Sequence, residues 1–182
     1  NRADLKSFKM RNRAITDVFE PGSTIKPLVV LAALENGVAD ESTIIDTGNG
    51  VMSIGGARVR DVSKAGKADL RKILKKSSNI GVSKLSLSMP VEALLGIYSS
   101  FGMGDATGVN LVGESYGLFP NRRRWSDFER ATLSFGYGLS ITPAQLARAY
   151  AVLGSLGVNR PLSILKTEAV VPGKQVASRE NT

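Results

Sequence analysis

Apolar positions follow a helical rhythm over most of the chain and a strand rhythm in only two stretches. The longest apolar run is Leu28 to Leu34, with no charged residue inside it. It follows directly on Phe19-Glu20-Pro21-Gly22-Ser23-Thr24-Ile25-Lys26-Pro27. This predicts a helix from Ser23 to about Asn36, stopped by Gly37. Pro27 sits late for a first-turn proline. With Ser23 as the cap, it removes the first intrahelical donor and predicts a tight or distorted first turn.

Residues 44–62 are strand-like, and Val51–Ile54 and Ala57–Arg60 flank Gly55-Gly56, a two-residue hairpin signal. Ser63 to Ala68 is predicted to be loop. Asp69 caps a short helix whose Leu70, Ile73 and Leu74 stand at i, i+3 and i+4. Continuing that face to i+7 reaches Ser77, which is therefore expected to point with the buried residues. A second helical stretch runs from Val82 to Leu87. Another starts at Ser88-Met89-Pro90 and ends at Gly102. Glycines at 102, 104, 108, 113 and 117 make 102–118 a long irregular connection. Ser126 can cap a helix through Leu133, Phe135-Gly136-Tyr137-Gly138 breaks it, and Thr142-Pro143 begins a last helix to about Leu153. Arg160 to Val171 has an alternating, extended look, and the polar tail from Pro172 is expected to be loose. Residues 1–19 show no strong periodicity.

Composition narrows the chemistry. The 182 residues are enough for one domain with a core, and 42% hydrophobic and 22% charged content is ordinary for a globular chain. A net charge of +8 favours anionic partners, although a scattered solvated face gives the same total. The densest cluster, Arg122-Arg123-Arg124, abuts Trp125 without an extended basic run. A single Trp argues against a stacking platform for nucleic acid. With no cysteine and no histidine, disulfides, thiol nucleophiles, the Ser-His-Asp relay and most zinc sites are excluded. No apolar run reaches the roughly 18 residues of a membrane span. The start at Asn1, without an initiator Met, is what a piece of a longer chain would show.

What remains is a nucleophile built without histidine. Ser23 and Lys26 are three residues apart within one predicted turn, so a neutral lysine amine there can take the serine proton. The helix N-terminus disfavours a second positive charge, and its N–H groups can face a developing oxyanion. Ser163-Ile164-Leu165-Lys166 has the same spacing, but in a strand-like stretch that would separate the two side chains. Ser77-Ser78-Asn79 adds a hydroxyl able to shuttle a proton from Lys26 and an amide able to hold a substrate backbone.

Three segments, Phe19–Pro27, Lys76-Ser77-Ser78-Asn79-Ile80-Gly81-Val82-Ser83-Lys84 and Arg130-Ala131-Thr132-Leu133-Ser134-Phe135-Gly136-Tyr137-Gly138, resemble class B penicillin-binding proteins. The likeness is greatest to the division-specific, FtsI-like transpeptidases, and it runs from Arg11 to about Pro172. It implies an α+β fold, the mostly helical portion of the penicillin-binding-protein and serine β-lactamase-like fold. It implies a serine D,D-transpeptidase that cross-links peptidoglycan stem peptides at the septum and is acylated by β-lactams. By the same resemblance Ser23 is the nucleophile, Lys26 the base, Ser77 the proton relay and Asn79 the substrate-amide holder. Glu20 would line the entrance and Tyr137 the aromatic wall of the cleft. The resemblance implies no metal and no cofactor. An FtsW-type glycan polymerase and other division proteins would be partners, and nucleic acid would not. The location implied is the inner membrane, held by an N-terminal anchor, with the catalytic domain in the periplasm.

The family's Lys-Ser/Thr-Gly motif does not occur here, and Lys166-Thr167-Glu168 matches only its beginning. The expectation is therefore that residues 1–182 form a partial transpeptidase domain. The anchor, a pedestal domain, the third motif and most of the antiparallel sheet would lie outside it, leaving the isolated chain inactive. Two other readings remain: a serine β-lactamase, disfavoured because its Glu-x-x-x-Asn spacing is absent, and a non-catalytic penicillin-binding sensor module.

Overall fold

The computed structural model describes residues 11–166 and 170–182. Among the described residues seven α-helices carry most of the order: α1 (Arg13–Thr16), α2 (Lys26–Glu35), α3 (Leu70–Lys76), α4 (Asn79–Leu87), α5 (Val91–Ser100), α6 (Asp127–Ser134) and α7 (Pro143–Gly154). Six short strands form three separate antiparallel pairs. These are β1 (Ile44–Asp46) with β4 (Lys67–Asp69), β2 (Val51–Ile54) with β3 (Ala57–Arg60), and β5 (Val158–Asn159) with β6 (Lys174–Gln175). The architecture is the mixed, mainly helical one expected. Among the described residues no single helix is long and apolar enough to cross a membrane.

α2 is the central element. Leu28, Val29, Val30, Leu31, Ala32 and Ala33 are all buried, so it is apolar around its whole circumference, as a helix packed on every side must be. Leu94, Ile97, Tyr98 and Phe101, on α5 and just after it, share the core with α2. The fully buried Tyr98 hydroxyl donates to the Leu133 carbonyl at 3.2 Å, tying α5 to α6. Arg130 of α6 donates to the Ser86 and Met89 carbonyls at 3.0 and 2.6 Å, closing the C-terminal end of α4.

Local chemistry sets most boundaries where the sequence predicts them. Gly55 and Gly56, at φ 54° and 84°, make the hairpin turn. Asp69 accepts the Lys72 N–H at the start of α3, and Ser126 and Thr142 form complete capping boxes on α6 and α7. The expected tight turn also forms: Gly22–Ile25 is a 3₁₀ helix leading into α2. Ser23 is not its cap, however. The N-cap position falls on Pro21, without a side-chain hydrogen bond.

Four expectations give way. Arg13–Thr16, in a stretch without strong periodicity, are helical and capped by Asn12. Lys67 and Ala68, placed in a loop, pair with β1 together with the capping Asp69. The segment after Arg160 forms no strand among its described residues; Ser163 Oγ instead turns back on Leu165 N–H at 3.1 Å, and Thr167 and Glu168 lie outside the described residues. The tail is tied down, since β6 pairs with β5 and Glu35, at the end of α2, accepts from Ser178 N–H, Ser178 Oγ and Asn181 Nδ2 at 3.0, 2.6 and 2.7 Å.

Candidate active site

The 3₁₀ turn presents Ser23 to solvent and then buries Lys26, which is 2% exposed. The apolar surroundings of α2 cannot solvate an ammonium, so Lys26 must find protein acceptors. It finds three, one for each N–H. Lys26 Nζ donates to the Ser77 carbonyl at 2.6 Å, to Ser77 Oγ at 2.9 Å and to Asn79 Oδ1 at 2.7 Å. Burial, partly offset by the negative charge of Asp61, lowers the Lys26 pKa from 10.5 to about 8.

Ser77 reaches this position by a route different from the helical one predicted. α3 ends at Lys76, and Ser77 is its C-cap in the left-handed region, φ 51° and ψ 45°. The residue is exposed and does not continue the Leu70–Ile73 face. The chain reversal, not helix periodicity, turns both its carbonyl and its hydroxyl onto Lys26. Ser78 then caps α4, which starts at Asn79, three residues earlier than the sequence suggests. Asn79 spans two segments: Oδ1 accepts from Lys26, and Nδ2 donates to the Arg60 carbonyl on β3 at 2.9 Å.

A second group braces the serine side. Gly22 N–H donates to the Gly136 carbonyl at 3.1 Å, and the two glycine backbones touch so closely that a β-carbon on Gly136 would collide with Gly22. Glu20 Oε1 accepts the Gly138 N–H at 3.0 Å, and Tyr137, half exposed, meets Phe135 edge-on with centroids 5.8 Å apart. Paired backbone bonds between Phe19 and Ile141, both 2.9 Å, hold the two loops in register. Tyr150 of α7 donates to the Thr24 carbonyl at 2.8 Å, fixing the turn from a third direction. Among the described residues neither the Ser23 hydroxyl nor its N–H has a hydrogen-bond partner, which leaves both free for a ligand. Ser163 and Lys166 are exposed and far from this chemistry in role; Ser163 Oγ is occupied by its own turn.

Asp61 is the residue sequence reasoning missed. Its carboxylate accepts Ser78 Oγ at 2.6 Å and Ile80 N–H at 2.9 Å, so it anchors the N-terminus of α4 and with it Asn79. The available signal was an aspartate just past the hairpin. Nothing local shows that it turns toward a helix 17 residues on. Asp61→Asn is expected to move the pH profile of any Lys26-dependent reaction downward, by less than about one unit. Asp61→Ala should in addition cost about 1–2 kcal/mol of stability. Rate–pH curves and thermal unfolding measure the two effects.

An exposed serine on a tight turn, one turn before a buried lysine held by Ser77 and Asn79, is an arrangement in which a lysine could activate a serine without histidine. The chain belongs to the penicillin-binding protein transpeptidase domain family, whose model matches residues 1–182. It is 56% identical over 167 residues to the peptidoglycan D,D-transpeptidase FtsI of Escherichia coli K12, covering 92% of this chain and 28% of that protein. It is 43% identical over 175 residues to the probable peptidoglycan D,D-transpeptidase PenA of Neisseria gonorrhoeae, covering 96% and 29%. The apo transpeptidase domain of Burkholderia pseudomallei penicillin-binding protein 3 superposes with a TM-score of 0.89 at 38% identity, over 95% of this chain and 53% of that one. The chain thus spans a little over a quarter of the length of these curated relatives.

Proposed function

We propose that the protein carrying this chain is a serine-type peptidoglycan D,D-transpeptidase of septal cell-wall synthesis and a target of β-lactams. The observation that carries this reading is Lys26: buried, with a pKa brought down to about 8, and bonded to Ser77 and Asn79 one turn after an exposed serine. The names of the FtsI and PenA relatives support the reaction class.

In this reading Ser23 Oγ attacks the carbonyl between the two terminal D-alanines of a stem peptide while neutral Lys26 Nζ takes its proton. The free Ser23 N–H faces the carbonyl oxygen as negative charge builds there. The proton passes from Lys26 through Ser77 Oγ to the nitrogen of the departing D-alanine, and the ester on Ser23 forms as the amide bond breaks. An amine from a neighbouring stem peptide then attacks the ester and frees Ser23. Asn79 holds the donor's amide, with Glu20 and Tyr137 flanking the cleft. A Lys-Ser/Thr-Gly segment elsewhere in the protein supplies the cation for the substrate carboxylate and a further oxyanion donor. An inner-membrane anchor with the catalytic domain in the periplasm, an FtsW-type polymerase and other division proteins complete the proposal, on the strength of the FtsI likeness.

The test is covalent labelling of the full-length protein by a fluorescent penicillin, followed by intact mass. One stable adduct on Ser23, abolished in Ser23→Ala, is expected. An adduct that survives in Ser23→Ala would exclude the assignment, and rapid turnover of the drug would point to a β-lactamase instead.

A further inference from the structure

The net charge of +8 is not spread over the molecule. Residues 58–84 hold nine lysines and arginines against two aspartates, a net of +7. All nine basic residues are exposed. Both aspartates are already committed to helix N-termini: Asp69 Oδ1 accepts the Lys72 N–H at 2.6 Å, and Asp61 accepts from Ser78 and Ile80. Among the described residues the ion pairs are Arg11–Asp17, Arg122–Glu129 and Arg130–Asp127, and none involves a residue of this stretch. The arginine triplet that stands out in the sequence is, by contrast, partly neutralised, with Arg122 paired to Glu129 and lying 5.6 Å from the Trp125 ring centre.

The unbalanced charge also has a definite place. Lys75 and Lys76 form the last turn of α3 and lead directly into Ser77. Arg58 and Arg60 share the outward face of β3, and the Arg60 carbonyl is bonded to Asn79. A helix dipole accounts for cations at the end of α3. It does not account for the arginines on the neighbouring strand. Two elements that both border the Lys26–Ser77–Asn79 cluster therefore present positive charge to solvent, and the field of such a surface draws in anions.

We infer that the outward surface of β3 and α3 binds the anionic part of the acyl donor, the carboxylate-bearing residues of the stem peptide that precede its D-alanyl end. This rests on the transpeptidase reading and adds a substrate preference to it. A peptide partner is favoured over a lipid surface or a nucleic acid because Lys75 and Lys76 lie within two residues of Ser77 and the Arg60 carbonyl is bonded to Asn79. An extended peptide advances about 3.3 Å per residue, and in this inference the residues that precede the D-alanyl end of a donor seated at Ser23 run past Ser77 and Asn79 onto this surface.

The test compares two stem pentapeptides ending in D-alanyl-D-alanine, one with its side-chain and internal carboxylates free and one with them amidated, the C-terminal carboxylate being kept in both. Release of D-alanine by the full-length protein, with an acceptor amine present, gives kcat/KM for each. The free-acid peptide should be preferred roughly tenfold or more at low ionic strength, and the preference should shrink as salt is raised. Lys75→Glu with Lys76→Glu should cut the ratio of the two rates toward one, and Arg58→Glu with Arg60→Glu should do the same by changing a different element. Arg123→Glu with Arg124→Glu, an equal change of net charge elsewhere, should leave the ratio as it was. Equal rates for the two peptides, or a ratio that ignores both charge reversals, would overturn the inference alone. Equal peptide rates together with loss of binding to anionic phospholipid vesicles in the Lys75/Lys76 variant would overturn it in favour of a membrane surface. Release of D-alanine from neither peptide would overturn the transpeptidase reading and this inference with it.

Discussion

Replacing Lys26 by arginine is expected to slow acylation of Ser23 by about 10²–10⁴-fold, the usual contribution of a positioned general base. Arginine keeps the positive charge and much of the length, but its pKa above about 12 denies it the neutral form. A mere counter-ion role would survive the change; a proton-accepting role would not. The unsubstituted protein should show the matching pH dependence. Lys26 gives up its proton at about 8, so roughly one molecule in ten carries the free amine at pH 7 and the rate climbs as pH rises through 8. Stability follows the same sign. The unfolded lysine keeps its proton up to about 10.5 and the folded one only to about 8, so the Lys26 contribution to stability is fully present above 10.5 and is lost, by about 3 kcal/mol, as pH falls from there through 8. Second-order acylation rates for both proteins from pH 6 to 10 decide the matter. A Lys26→Arg protein within tenfold of the parent, or a flat parent profile, would remove Lys26 from the mechanism.

Gly136→Ala should be nearly as damaging although it touches no reacting group. Gly136 lies at φ 89°, where a β-carbon is strained, and that carbon would meet the Gly22 backbone, which has no means of moving aside without shifting Ser23. Displacing a nucleophile by about 1 Å can cost on the order of 10²-fold in rate. The strain and overlap together should cost about 3 kcal/mol or more of stability. Gly138→Ala is the control. Its φ of 83° is equally unfavourable to alanine, but a β-carbon there meets nothing within 4 Å, so it should lose only about 1–2 kcal/mol and little activity. Melting curves and acylation rates on the pair separate backbone strain from collision. Equal behaviour of the two variants would mean that the contact with Gly22 does not hold the serine in place.

The contrast between these glycines also shows what was legible in the sequence. Features fixed by neighbours in the chain were readable: the Gly55-Gly56 hairpin, the Asp69, Ser126 and Thr142 caps, and the tight turn before Pro27. Ser23, Lys26, Ser77 and Asn79 were singled out for the same reason, since their spacings are short. The geometry joining them was not readable, because it depends on contacts between distant segments. Lys26 meets Ser77 across 51 positions, and Glu20 meets Gly138 across 118. Ser77 was expected on a helical face that ends one residue before it. Asp61 carries no mark until α4 is placed against it. The tail looked loose because its polarity hides its anchor, Glu35, which belongs to the other end of the chain's central helix.

Ser77 sits in a left-handed conformation that glycine adopts freely and serine adopts at a cost of roughly 1 kcal/mol. The residue best suited to that corner of the backbone is therefore one without a hydroxyl. Under the proposed mechanism thermostability and proton relay compete for a single position, and selection for a firmer scaffold alone would erase the relay. Any programme to stabilise this domain by relaxing unfavourable backbone positions would arrive early at Ser77, and it is the position such a programme should leave untouched.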